Sequence, residues 1–62
     1  MRKTNVTKNG KRVTVMEKDN IVILTPQYKM GSTWVITNDQ FVISTDEMTF
    51  EAALASVYLG MK

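Results

Sequence analysis

The stretch from Thr33 to Leu59 constrains this chain most, because it holds half of the large apolar side chains, four of the five aromatic ones among them, from which so short a polypeptide can build a core. Its first part, TWVITNDQFVIS, reads as a β-hairpin. Asn38 and Asp39 both tolerate positive φ, which suits a two-residue turn. That turn would pair Thr37 with Gln40, Ile36 with Phe41, Val35 with Val42 and Trp34 with Ile43. Directly paired residues share a face. The expected inner face is therefore Trp34, Ile36, Phe41 and Ile43, with Val35 and Val42 on the other.

The second part, TDEMTFEAALASVYL, reads as one amphipathic helix. Phe50, Ala53, Leu54, Val57, Tyr58 and Met61 follow the spacing of a single helical face. Thr49 can cap its start, since a hydroxyl there accepts from an unpaired N–H of the first turn. Asp46, Glu47 and Glu51 suit the positive end of the helix dipole. Gly60 is placed to end the helix as the residue after its cap. About three turns are marginal alone in water, so the helix is expected to form against the apolar face of the 33–44 hairpin.

The N-terminal half reads as strands. Asn9-Gly10 between two β-rich runs is a strong hairpin signal. It sets Lys8 opposite Lys11, Thr7 opposite Arg12, Val6 opposite Val13 and Thr4 opposite Val15. Val6, Val13 and Val15 then share one side, and Asn5, Thr7, Arg12, Thr14 and Met16 the other. Lys18-Asp19-Asn20 marks the next turn. Ile21 to Leu24 is apolar on both faces, as in a central strand. Pro26 is expected to end that strand, because it cannot donate to a ladder. Gln27 to Ser32 is expected to be a loop. The fold class expected is α+β: a small antiparallel β-meander of four to five strands with one C-terminal amphipathic helix packed on one face, in a single domain over residues 1–62.

Composition narrows the chemistry. With 62 residues there is room for one modest core. The chain has no Cys and no His, which removes disulfides, thiolate metal sites and the side chain most used for proton transfer near neutral pH. Ser and Thr are plentiful but lack a base to activate them. Gly31-Ser32-Thr33 lacks the second glycine and the lysine of a phosphate-binding loop. Asp39, Asp46, Glu47 and Glu51 do not have the spacing of a Ca²⁺ loop. These features argue against an enzyme, a cofactor, a metal or a small-molecule substrate. The N-terminus has no apolar secretory core, and no run is long enough to span a membrane. Asn5-Val6-Thr7 matches the glycosylation sequon by chance on that reading. The location expected is the cytoplasm.

Charge is unevenly spread. Arg2, Lys3, Lys8, Lys11, Arg12, Lys18 and Lys29 stand against Glu17 and Asp19 in residues 1–31; Lys62 stands against Asp39, Asp46, Glu47 and Glu51 in the rest. Arg2, Lys3, Lys8, Lys11 and Arg12 therefore form a candidate surface for nucleic acid or an acidic partner. A solvated tip and protection of a strand edge explain the same lysines without any partner. A second candidate is a protein interface made by Tyr28 of the expected loop, Val35 and Val42 on the uncovered sheet face, and Ala52, Ala55 and Leu59 on the outer helix face. Alanine is also the best helix former, which accounts equally well for the helix stripe.

The chain begins at Met, ends soon after a capped helix, and reads as a complete small open reading frame. The function expected is that of a small non-enzymatic interaction protein, an inhibitor or modulator of a macromolecular partner of the kind found among phage and mobile-element accessory proteins. Its partner would be a host protein or a second copy, as a homodimer. The alternative is a small DNA- or RNA-binding protein using the basic N-terminal hairpin.

Overall fold

Three two-residue turns lay out the sheet. Asn9 (φ 52°) and Gly10 (φ 75°) are both left-handed, as are Asp19 (φ 51°) and Asn20 (φ 65°). Two left-handed residues define the type I′ turn, whose twist matches that of its flanking strands. At Gly31-Ser32 only the glycine (φ 65°) is left-handed, the pattern of a type II′ turn with glycine leading. The computed structural model describes residues 1–37 and 39–61. In chain order the elements are β1 (Arg2–Lys8), β2 (Lys11–Lys18), β3 (Ile21–Met30), β4 (Thr33–Ile36), β5 (Phe41–Ser44) and α1 (Phe50–Gly60). The strands form one antiparallel sheet in the order β1-β2-β3-β4, with β5 also paired to β3. The expected α+β meander with one C-terminal helix is what the chain adopts. No helix among the described residues is long and apolar enough to cross a membrane.

The first hairpin has the expected register, with Val6 opposite Val13 and Thr4 opposite Val15. The rest of the sheet corrects the sequence reading. Pro26 does not end the third strand, which runs on to Met30, and Gln27 to Met30 are strand rather than loop. In an antiparallel strand a residue's N–H and C=O point toward the same neighbour. Pro26 accepts from the Thr37 N–H at 3.1 Å and from the Thr37 hydroxyl at 3.2 Å, so its missing N–H faces that edge too. The edge is interrupted there: Ile36 lies opposite Gln27 and Phe41 opposite Leu24, so only Thr25 and Pro26 of β3 lie between the two paired stretches. Proline is tolerated where the ladder is broken.

The expected 33–44 hairpin is therefore absent. β4 and β5 do not pair with each other; both pair with β3, as two pieces of one interrupted edge strand. Asn38, half of the expected turn, and Lys62 lie outside the described residues. The consequence for side chains is large. A hairpin would put Trp34 and Ile36 on the same face as Phe41 and Ile43. Two collinear pieces instead keep odd and even residues apart. Val35, Phe41 and Ile43 share a face with Val13, Val15, Val22 and Leu24; Trp34, Ile36 and Val42 lie on the other face with Arg12, Met16, Ile23 and Gln27.

The helix covers the first of these faces, over β2 and β1 rather than over the expected hairpin. Thr49 caps it, its hydroxyl accepting from the Ala52 N–H at 3.1 Å. Gly60 is the last helical residue rather than the residue beyond the cap; the cap is Met61, whose N–H donates to the Val57 carbonyl. Val15, Val22, Phe50 and Ala53 form the buried cluster, with Val13, Leu24, Met48, Leu54 and Val57 packed against it. Tyr58, expected on the buried stripe, is 66 % exposed. Phe50→Ala should cost about 3–5 kcal/mol. Phe41→Ala, at a residue 55 % exposed, should cost less than about 1 kcal/mol. Urea unfolding of the two variants checks the ordering, and equal losses would contradict this core.

Candidate functional site

On the face away from the helix, the middle of the sheet is polar. Gln27 sits in central strand β3 and is only 8 % exposed. A buried amide must have all its polar atoms matched, and the neighbouring strands provide the partners. The Gln27 carbonyl oxygen accepts from Arg12 Nε at 2.9 Å and Arg12 Nη2 at 2.6 Å. Its amide nitrogen donates to Thr14 Oγ1 at 2.7 Å and to the Thr25 carbonyl at 3.1 Å. Thr14 in turn donates to Asn5 Oδ1 at 2.8 Å. The Arg12 guanidinium also lies over the Trp34 ring, 4.6 Å from its centre, a favourable placement for a cation on an aromatic face. Among the described residues no buried side-chain nitrogen or oxygen lacks a partner. Arg12 is thus fixed by a fork of two hydrogen bonds and by an aromatic plane.

A groove of about 340 Å³ opens above this network. It crosses the sheet from Lys3 and Asn5 on β1, over Arg12, Thr14 and Met16, to Ile36 and Gln40 at the far edge. Gln40 donates to Thr25 Oγ1 at 3.1 Å. Strand pairing puts Lys3, Arg12, Lys18 and Lys29 on this one face. No strand contributes a carboxylate to it: Glu17, the only acidic residue in a strand, alternates onto the helix face. Gln27 binds Arg12 through a neutral carbonyl, so this contact leaves the Arg12 charge uncancelled. A larger cleft of about 430 Å³ beside Met1, Glu17, Lys18, Asp19, Asn20 and Thr45 mixes both signs of charge and has no comparable network.

Arg2 makes the contrast. It lies on the helix face, stacked on Phe50 at 4.7 Å, with Nε 3.0 Å from Glu17 and Nη1 2.6 Å from Glu51. Hydrogen bonds to Glu17 first, then Glu51, push its pKa further up. Glu51 is held below the usual carboxylate range by its own backbone N–H and by Arg2. Arg2 therefore clips the helix start to the sheet and has its charge matched. A depressed carboxyl pKa stabilises the fold above the ordinary glutamate range and loses that contribution as pH falls through the depressed value. Glu51→Gln should consequently melt lower than the parent near neutral pH, and the gap in Tm should close in acid. A gap that persisted unchanged at low pH would contradict the clip.

Lys8 and Lys11 stand opposite each other at the tip of the first hairpin. With Asn9 they line a cleft against Gly60 and Met61 at the helix end. The last helical turn has no basic residue of its own, and cations there complement the dipole. The five expected binding residues therefore divide. Lys3 and Arg12 meet on the open face, Arg2 is clipped to the helix, and Lys8 and Lys11 sit by the helix C-terminus. The six expected interface residues divide as well. Tyr28 and Val35 lie on the helix face, Val42 on the open face, and Ala52, Ala55 and Leu59 are exposed along the helix. Sequence reasoning missed Asn5, Thr14, Gln27 and Trp34 as a group. The signal available for the first two was their shared side of the first hairpin with Arg12; Gln27 and Trp34 were hidden by the misplaced strand end and turn.

Comparison with protein-family models, with curated proteins and with solved structures gave no significant match.

Proposed function

We propose that this protein is a non-enzymatic interaction module that holds an anionic macromolecule on the open face of its sheet. The observation that supports this is the charge of that face: Lys3, Arg12, Lys18 and Lys29 with no strand carboxylate among them. A partly buried apolar floor of Met16, Ile23 and Trp34 lies between the cations. A single-sign surface raises the local concentration of an oppositely charged partner and speeds its association. Apolar area beneath it supplies affinity that salt does not screen. With no His or Cys in the chain, the module acts by occupying its partner's surface, as an inhibitor or modulator does.

The test compares two double variants that each remove two positive charges. Lys3→Ala/Lys29→Ala alters the open face, and Lys8→Ala/Lys11→Ala alters the hairpin tip. On a heparin column the open-face variant should elute at clearly lower salt than the tip variant, which should stay close to the parent. The reverse order would move the site to the hairpin tip. Equal shifts would mean that net charge alone governs retention.

A further inference from the structure

Resting on the anionic-partner reading, the geometry points to single-stranded nucleic acid as the partner of the open face, with Arg12 and Trp34 at the centre of its binding site. Three observations on that face converge. The first is the spacing of its cations. Residues paired across the strands form rows: Lys18 with Ile21; Lys3 with Met16, Ile23 and Val42; Asn5 with Thr14 and Thr25; Thr7 with Arg12, Gln27 and Ile36; Lys29 with Trp34. Successive rows are two residues apart, about 6.7 Å along the strands. All these rows but the Asn5 row hold one cation, so the positive charge is strung along the strand direction for about 27 Å. A polynucleotide has charge repeated along its length in this way, whereas an acidic patch on a folded protein need not.

The second observation is how Arg12 is held. Nε and Nη2 are used on Gln27, while Nη1 has no partner among the described residues. The guanidinium plane is already oriented by the Trp34 ring. A fixed, charged plane with a spare donor suits both a phosphate oxygen and a stacked base. Pre-orienting the side chain lowers the entropy lost on binding.

The third is the polar row between the apolar ones. Asn5 uses its oxygen on Thr14, leaving its NH₂ as a donor toward the groove. Gln40 uses its NH₂ on Thr25, leaving its carbonyl as an acceptor. Donor and acceptor lie on the same groove, matching the mixed donor and acceptor edge of a base. Only an unpaired base can present that edge to a flat sheet; in a duplex the edges lie inside grooves and only the backbone would touch. Single strands are bound elsewhere by this combination of cations along the backbone and π-faces under the bases.

Trp34 is the only tryptophan, so its fluorescence reads the site directly. Titration of the parent with an oligothymidylate of about 15 nucleotides should quench Trp34, with affinity falling steeply as salt rises. A duplex of the same length should bind at least about tenfold more weakly. Arg12→Lys keeps the charge but loses the fork to Gln27 and the planar stack, and should weaken oligothymidylate binding about tenfold. Asn5→Ala, at an exposed position, should weaken it in the same direction and serves if Arg12→Lys does not fold. Binding of duplex as tight as single strand, or heparin binding without any oligothymidylate quenching of Trp34, would overturn the single-strand assignment while leaving the anionic-partner reading standing. Absence of binding to oligothymidylate, duplex and heparin alike at low salt would overturn both.

Discussion

Pro26 has no N–H to give, and the side of β3 on which that N–H is missing decides the rest of the molecule. The neighbouring edge breaks where a ladder bond cannot form, and pairing stops at Ile36 and resumes at Phe41. The chain does not turn back on itself there. It resumes in the same direction along the same strand, so β3 supports β4 with one half and β5 with the other. Two collinear pieces keep odd and even residues on separate faces, which puts Phe41 and Ile43 toward the helix side and Trp34 toward the open side. A reversal at the same place would have put all three on one face and left Arg12 without its aromatic partner.

The two faces then divide the labour between stability and binding. The helix face buries Val15, Val22, Phe50 and Ala53 and has its one stacked arginine neutralised, because Arg2 meets Glu17 and Glu51. The open face has the other stacked arginine, Arg12, held by the neutral carbonyl of Gln27. The same side chain in the same kind of aromatic contact serves as a clip in one place and keeps its charge available in the other. What separates them is whether a carboxylate is within reach. Placing a glutamine rather than a glutamate at the centre of β3 orients Arg12 without cancelling it. A structure needing only a rigid sheet could fill position 27 with an apolar residue at less cost in desolvation.

Much of the fold was legible. Asn9-Gly10 gave the register of the first hairpin, because a type I′ turn admits few other residues, and the helix with its Thr49 cap followed from spacing and a hydroxyl. The fold class followed from those elements. The edge was not legible. Pro26 reads as a strand end when the broken ladder that accommodates it is unknown, and the apolar runs at 34–36 and 41–43 read as partners of each other when the strand that both pair with is unknown. Both errors are local rules overridden by pairing with a strand distant in sequence. The candidate site was legible only in part. Lys3 and Arg12 were singled out from charge, but charge cannot say which cations are already matched. Arg2 is matched by Glu51, far along the chain, and Lys8 and Lys11 sit by a helix end. Gln27 and Trp34 gave no signal, since a neutral amide and one tryptophan acquire meaning only when the sheet sets them around Arg12.

The most direct test of this division of faces is an amide and indole chemical-shift map of the ¹⁵N-labelled protein during oligothymidylate titration. Shifts are expected at Asn5, Arg12, Thr14, Gln27 and the Trp34 indole, with Phe50, Ala53 and Val57 unmoved. Shifts confined to Lys8, Asn9, Lys11 and the helix C-terminus, with the Trp34 indole unmoved, would contradict it.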